Sequence, residues 1–196
     1  VIKHLIPDKQ LSALQIGILF FVFGFITWLN GALIPFLQIV CELTESQALL
    51  VAFLFYIAYF LMALPMSWVL DKVGYKNPMV LGLVLISLGC LLFIPAAYNR
   101  AFSVFLVAQF IVGSGLTILQ TASNPYLVKI GPQETAAVRI SVMGLLNKFV
   151  GFLAPIIFTV LVLGEFAGVS AQSIAALSED QRLQQIIALS DGFVKW

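Results

Sequence analysis

Amide and hydroxyl side chains recur along one face of a stretch that is long enough and apolar enough to cross a membrane. The stretch runs from Gly113 to Pro132 and reads GSGLTILQTASNPYLVKIGP. At about 100° per residue, one sector of its helix surface contains five small or polar residues: Gly113, Thr117, Gln120, Thr121 and Asn124. Amides and hydroxyls donate and accept hydrogen bonds, so this sector can bind a polar solute.

A polar group that faces lipid loses its water partners, so the sector should face protein or a water-filled cavity. Small residues and amides also hold membrane helices together, and that role fits Gly113 best. We expect Gln120 and Asn124 to bind a solute, with Thr117 on the same face.

A second apolar stretch, from Ile140 to Gly164, is interrupted by one charge. Its face contains Gly144, Asn147, Lys148, Gly151 and Pro155. Lys148 lies nine residues from Arg139, which is about 13 Å along a helix. An ionisable group at this depth is rare and is a functional-site hypothesis by default. We hypothesise that Lys148 and Asn147 line a central cavity.

Several roles for Lys148 stay open at this stage. The ammonium can contact solute hydroxyls, pair with a carboxylate from elsewhere in the protein, or titrate during a functional cycle. A buried ion pair that only locks the packing is the structural alternative.

The first apolar stretch presents a similar face. Gly24, Thr27, Trp28, Gly31 and Pro35 fall within about 100°, and Asn30 lies just beyond that sector. Trp28 can stack on the apolar face of a solute ring or pack in the core, and both interpretations remain open. We expect Asn30 to hydrogen bond, because a buried amide needs a partner.

Composition places these stretches in a membrane protein. Hydrophobic residues make up 61% of the chain and charged residues 10%, against roughly 25% charged in a soluble domain. The first stretch is too long for a cleaved signal peptide. We predict an all-α protein with five spans, near residues 12–40, 46–70, 77–98, 101–128 and 139–164.

The remaining residues, 165–196, read as a loop that leads to a sixth span beyond Trp196. A capping-box spacing from Ser178 to Gln181 predicts a short helix within it, with Leu183, Ile186 and Ile187 on one face.

Charge placement predicts the orientation. With a cytoplasmic N-terminus, the inner segments hold most of the cations: Lys3, Lys9, Lys72, Lys76, Lys129 and Arg139. A net charge of +1 argues against nucleic acid as a partner. Cys41 and Cys90 fall at different depths, which disfavours a disulfide. Metal-ligand spacings, a nucleophile elbow and a phosphate loop are absent from the sequence, so we expect no enzyme, no metal and no cofactor.

The segment Pro65 to Pro78, PMSWVLDKVGYKNP, predicts a tight turn between two spans. Gly74 permits the turn, and the Asp71 carboxylate can accept from backbone N–H groups of the next helix. The pattern formed by Asp71, Lys72, Gly74 and Lys76 resembles the loop between the second and third spans of the major facilitator superfamily. Ser67 departs from that family, which has glycine four residues before the Asp.

Other segments resemble the fucose permease branch of this superfamily, which includes glucose/galactose and N-acetylglucosamine permeases. They follow in order from Leu11 to Pro155: Leu29-Asn30, Leu33 to Pro35, Phe55-Tyr56, Tyr59-Phe60, Leu88-Gly89, Leu92 to Ala97, Gln120 to Tyr126, Gly131-Pro132, Arg139 and Asn147.

This resemblance implies the N-terminal portion of a twelve-helix transporter of two six-helix halves, with a monosaccharide site between the halves at the midplane. It implies alternating access in a bacterial cytoplasmic membrane, with the lipid bilayer and the C-terminal half as partners. Cation symport, with Na⁺ or H⁺, follows from the resemblance alone, as do hexoses, fucose or N-acetylglucosamine as substrates.

Two departures bear on coupling. The proton-coupled fucose permease has carboxylates where this chain has Gly31 and Gln120, and neither of these residues titrates. The family's proton relay therefore does not carry over to them, and Gln120 resembles the glucose/galactose branch. A membrane sugar sensor or an uncoupled uniporter on the same fold is the alternative function.

Overall fold

The computed structural model describes residues 8–162, 173–174 and 176–195, and it places almost all of them in helices. The helices are α1 (Asp8–Val40), α2 (Glu45–Val73), α3 (Lys76–Tyr98), α4 (Phe102–Lys129), α5 (Ala136–Val162) and α6 (Glu179–Lys195). A short 3₁₀ turn, Gln133–Thr135, precedes α5. The described ranges contain no strand.

The first five helices are long and apolar enough to cross a membrane, as the sequence predicts. The chain turns back between successive spans, so neighbours along the sequence run antiparallel. The loops at residues 41–44 and 99–101 therefore share one end of the bundle, which we call the first-loop end. The loops at residues 74–75 and 130–135 share the opposite, second-loop end. The early part of the predicted terminal loop, residues 165–172, lies outside the described residues.

Local sequence signals set both ends of α2. Thr44 caps α2, because its hydroxyl accepts from the Gln47 N–H and the Gln47 side chain accepts from the Thr44 N–H. Gly74 ends α2 at φ 74°, a conformation that favours glycine. The predicted tight turn is therefore present.

Each of the five spans contains a proline well inside the helix, and α3 has a further proline, Pro78, in its first turn. The five prolines lie in the C-terminal third of their helices: Pro35, Pro65, Pro95, Pro125 and Pro155. Membrane helices tolerate proline where neighbouring helices or water satisfy the freed backbone groups.

Helix α4 is the central element of the bundle. Every residue from Val112 to Leu119 is buried, whereas α1, α2, α3 and α5 are largely exposed along their most apolar segments. Helices α2 and α3 both pack on α4, and α1 packs on α5. These two units meet through more limited contacts between α1 and α2 and between α4 and α5.

Glycines bring the backbones on both sides of α4 close together. A methyl group built on Gly115 would lie 2.7 Å from the Gly82 carbonyl oxygen, and one on Gly113 would lie 2.7 Å from the Phe55 carbonyl oxygen. Lipid chains are as apolar as the helices, so close packing of this kind, and not hydrophobic exclusion, holds membrane helices together.

Helix α6 sits at the first-loop end. Ile174, Ile186 and Leu189 are buried against the ends of α1, α3 and α5, and Arg182 forms a 2.6 Å ion pair with Glu42. Leu183 and Ile187, which the helical period places on one face with Ile186, are exposed, whereas Ile186 is buried. The helix docks through a face rotated toward Leu189.

We expect Gly115→Ala to destabilise the bundle, because the added methyl would meet backbone atoms that cannot rotate away. Overpacking of this kind costs about 1–3 kcal/mol. Thermal unfolding of the purified protein in detergent should show a lower midpoint for Gly115→Ala. Gly144→Ala is the matched control, since nothing lies within 4 Å of a methyl at Gly144. Equal midpoints for the two variants would contradict the close approach of α3 and α4.

Cys41 lies directly after the first span and is half-buried near Arg100. Burial raises the pKa of the Cys41 thiol to about 11, and the Arg100 charge partly opposes this shift. Alkylation by iodoacetamide, followed by mass spectrometry of the Cys41 peptide, should therefore accelerate about tenfold per pH unit from pH 7 to pH 10. Arg100→Gln should slow the reaction further. A rate that levels off below pH 9 would show an ordinary thiol.

Candidate functional site

The seam between α1 and α5 brings the predicted polar residues together. The Asn147 amide donates to the Phe20 carbonyl oxygen at 3.4 Å. Its side chain also lies against Gly24, where a methyl group would come within 2.7 Å of Asn147 Nδ2. Asn147 is half-buried, so one part of its amide is held by α1 and the rest remains accessible.

One turn further along the same seam, Trp28 of α1 lies over Gly151 of α5. A methyl at Gly151 would lie 2.6 Å from the indole ring. The Lys148 ammonium is 5.0 Å from the centroid of the Trp28 ring, which is within cation–π range. Trp28 keeps 40% of its surface exposed. Part of the ring is therefore packed against α5 and part is exposed, and stacking on a solute stays a prediction.

Lys148 is exposed in the middle of α5, and it forms no salt bridge within the described residues. The spans also contain no acidic side chain at this depth, because Glu42, Glu45, Asp71 and Glu134 all lie in loops or terminal turns. The Trp28 ring is the group that the structure places against the ammonium.

Arg139 fixes the register between α4 and α5. Its guanidinium donates to the carbonyl oxygens of Leu127 at 3.0 Å and Val128 at 2.9 Å, which are free acceptors at the end of α4. It also donates to the Pro132 carbonyl oxygen at 3.0 Å and to Thr135 Oγ1 at 2.6 Å. The fork of the guanidinium thus ties the last turn of α4 to the first turn of α5.

This register places Gln120 and Asn147 at the same depth. Both residues lie eight positions from the Arg139 contact, Gln120 counted back from Val128 and Asn147 counted forward from Arg139. Eight helical residues span about 12 Å. Gln120 and Thr121 are half-buried and Asn124 is exposed. One layer at membrane depth therefore contains Gln120 and Asn147, with Lys148 and Trp28 beside it.

Thr117 and Thr27 are tied to their own helices. Thr117 Oγ1 donates to the Gly113 carbonyl oxygen at 2.8 Å, and Thr27 Oγ1 donates to the Phe23 carbonyl oxygen at 2.6 Å. The hydroxyl of Tyr59 is buried, with Thr27 as its polar neighbour. Thr117 is itself buried, so only its oxygen lone pairs remain available to a partner.

Asn30 faces a different part of the bundle. Its side-chain oxygen accepts a hydrogen bond from Gln109 of α4, a buried residue that the sequence did not single out. Both amides line an apolar cavity of about 810 Å³ between α1, α3, α4 and α5. Trp28, Gln120, Asn147 and Lys148 do not line that cavity. The sequence contains one feature that could have identified Gln109, since it is an isolated amide within an otherwise apolar run.

The loop residues lie together at the second-loop end. Asp71, Lys72, Gly74 and Lys76 are exposed. Helix α3 begins without a side-chain cap, so the hydrogen bonds expected for Asp71 are absent. The loop is anchored instead by Tyr75, whose ring packs against Tyr126 at 5.9 Å and lies 4.9 Å below the Lys129 ammonium.

The five apolar spans, with a layer of half-buried and exposed polar residues within them, define a multi-pass membrane protein. Residues 16–175 match the family model described as Major Facilitator Superfamily. The chain belongs to this superfamily, and the predicted family and fold are confirmed.

The relatives carry transporter names. A glucose/galactose transporter of Brucella abortus is 44% identical over 149 residues, which cover 76% of this chain and 36% of that protein. The L-fucose-proton symporter of Escherichia coli is 33% identical over 179 residues, 91% of this chain and 40% of that protein.

A solved structure gives the same fold. The crystal structure of an Asn-to-Ala variant of the E. coli fucose:proton symporter matches with a TM-score of 0.80 and 28% identity. The match covers 95% of this chain and 44% of that chain. The chain thus spans less than half the length of the proteins it matches.

We expect Gln109→Leu to leave the Asn30 carboxamide without its partner in an apolar cavity. A buried unpaired polar group costs about 1–3 kcal/mol. The unfolding midpoint in detergent should fall for Gln109→Leu and for Asn30→Leu. The double variant should lose less than the sum of the two losses, since it leaves neither amide unpaired. Additive losses would show that the pair makes no net contribution.

Proposed function

We propose that this chain is the N-terminal half of a transporter that moves a monosaccharide across a bacterial cytoplasmic membrane by alternating access. The observation that carries the proposal is the polar layer formed by Gln120, Asn147, Trp28 and Lys148 within membrane spans. The names of the relatives support a sugar as the solute, since they are called glucose/galactose transporters and L-fucose-proton symporters.

The chemistry of this layer suits a neutral polyol. The Gln120 amide can donate to one hydroxyl and accept from another. The Asn147 amide is held through its nitrogen by Phe20, which leaves its oxygen free to accept from a sugar hydroxyl. Asn124 lies one turn from Gln120 and extends the same face.

Trp28 supplies a stacking surface in this proposal. The exposed part of its indole can contact the C–H face of a pyranose, as aromatic rings do in many sugar sites. Thr117 and Asn30 are weaker candidates, because Thr117 is buried and the Asn30 oxygen is already bonded to Gln109. They remain substrate-binding predictions.

Lys148 contributes a strong donor to the site. An ammonium in a partly desolvated cavity forms hydrogen bonds with hydroxyls that are stronger than those of neutral donors. The described residues offer it no carboxylate, so a carboxylate that balances its charge would come from the C-terminal half.

We propose cation symport, with Na⁺ or H⁺, and place the coupling chemistry outside this polar layer. Gly31 and Gln120 do not titrate, and the acidic residues of the five spans lie at their ends. An uncoupled uniporter or a sugar sensor is the second candidate, and the same two residues favour it.

The proposed orientation has a cytoplasmic N-terminus, which places Asp71, Lys72, Gly74 and Lys76 in a cytoplasmic loop. We propose that this loop contacts the C-terminal half as the two halves rock, so that it acts in gating. The lipid bilayer surrounds the remaining exposed apolar faces.

Sugar counterflow by the full-length protein in proteoliposomes tests the proposal. Wild-type protein should exchange labelled monosaccharide, and Lys148→Ala should weaken the apparent affinity about 10- to 100-fold, because a hydrogen bond to a charged group contributes about 1.5–3 kcal/mol. Arg100→Gln is the control for loss of a positive charge, since Arg100 lies in the loop at residues 99–101, away from the polar layer and from the proposed gating loop.

Wild-type affinity, rate and coupling in Lys148→Ala would exclude Lys148 from the sugar site. Binding of sugar without exchange would favour the sensor. Counterflow with imposed sodium and proton gradients would identify the coupling ion, and gradient-independent exchange would favour the uniporter.

A further inference from the structure

Two glycines, one on α1 and one on α5, each pack against a side chain of the opposite helix. Gly24 of α1 receives the amide of Asn147, and Gly151 of α5 receives the indole of Trp28. The two contacts are four residues apart on each helix, so they stack one turn above the other along a parallel helix pair.

The space at both glycines is fully used by these side chains. A methyl at Gly24 would lie 2.7 Å from Asn147 Nδ2 and 3.2 Å from the Asn147 Cα atom. A methyl at Gly151 would lie 2.6 Å from both Nε1 and Cε2 of Trp28. These distances are below van der Waals contact, so an alanine at either position must displace the side chain or separate the helices.

Two other glycines along the α1–α5 contact have room for a methyl group. Gly17 lies on the same face of α1, and a methyl there would be 3.9 Å from Met143 and Leu146, which is ordinary contact. Gly144 on α5 has nothing within 4 Å. The tight fit is therefore confined to the two turns that hold Asn147 and Trp28.

We propose that Gly24 and Gly151 are positioning residues of the sugar site. Gly151 leaves room for the Trp28 indole against α5, where the Lys148 ammonium reaches the ring. Gly24 holds the Asn147 amide against α1, where the Phe20 carbonyl oxygen orients it. The inference rests on the proposed function, and it adds that backbone space at two glycines sets the orientation of the stacking surface and of one amide.

The arrangement also places an aromatic ring against the Lys148 ammonium, which has no carboxylate nearby among the described residues. A cation over a tryptophan ring is attracted by the face of the ring, and more strongly when it is shielded from water. This attraction requires the ring to lie within about 6 Å of the ammonium. Displacing the indole from Gly151 therefore removes a contact of Lys148 as well as the stacking surface.

Counterflow by the full-length protein provides the first test. Gly151→Ala should raise the KM for the sugar at least about tenfold and change the maximal rate less, because a positioning residue acts on binding geometry. Gly17→Ala is the matched control on the same seam and should leave both values unchanged. Equal KM values for Gly151→Ala, Gly17→Ala and wild type would overturn the proposal.

A spectroscopic measurement reports the contact between Trp28 and Gly151 without any transport assay. In full-length protein labelled with 5-fluorotryptophan, the ¹⁹F resonance of Trp28, assigned by Trp28→Phe, should shift in Gly151→Ala and in Lys148→Met. It should not shift in Gly17→Ala. An unchanged Trp28 resonance in Gly151→Ala would overturn the proposal. If wild-type protein shows no counterflow but the resonance shifts in Gly151→Ala, the proposed function is rejected and the positioning of Trp28 by Gly151 is supported.

A second variant covers the case in which Gly151→Ala does not fold. Trp28→Ala combined with Gly151→Ala removes the ring that the methyl would strike. If this double variant folds and binds sugar with the affinity of Trp28→Ala alone, the positioning of Trp28 by Gly151 is supported. Failure of this double variant to recover, when Trp28→Ala alone folds, would show that Gly151 acts by some contact other than Trp28.

Discussion

The close approach of helix backbones is the constraint on which the rest of this bundle depends. In lipid, apolar side chains gain little by meeting one another, so helices associate where their surfaces fit closely. Helix α4 meets α3 at Gly82 and Gly115 and meets α2 at Gly113, with backbone atoms in near contact. The α1–α5 pair uses its tight positions differently, because side chains of the opposite helix fill them. The first kind of contact joins helix backbones, and the second fixes the positions of the Asn147 and Trp28 side chains.

Much of this fold could be predicted from the sequence because the membrane restricts the choices. Spans had to be helical and about 20 residues or longer, so four charge-free runs and a fifth run interrupted only by Lys148 located all five of them. The helical period also brought Asn147, Lys148 and Gly151 to one face of α5, and the structure shows that Asn147 and Gly151 contact α1 and that Lys148 reaches the Trp28 ring of α1. The contact between Trp28 and Gly151 was not predicted, since it joins two helices that are distant in sequence.

Other features depend on packing that no local pattern specifies. Asn30 pairs with Gln109 across 79 positions of sequence, and a periodicity argument sees each amide separately. Helix α6 has apolar residues on more than one side, and the docking surface offered by α1, α3 and α5 decides that Ile186 is buried and Ile187 is not. The loop at Asp71 was assigned a cap from its composition, but Tyr75 anchors it through ring contacts.

The proline in the C-terminal third of each span has a consequence for the polar layer. Because proline has no N–H, the carbonyl four residues before it lacks its usual helical partner. For Pro35, Pro125 and Pro155 these carbonyls belong to Gly31, Thr121 and Gly151. The helices that present Trp28, Gln120 and Lys148 therefore also present main-chain acceptors at neighbouring positions. Such acceptors persist whatever side chain evolution places there, and even Gly31, which has no side chain, retains one.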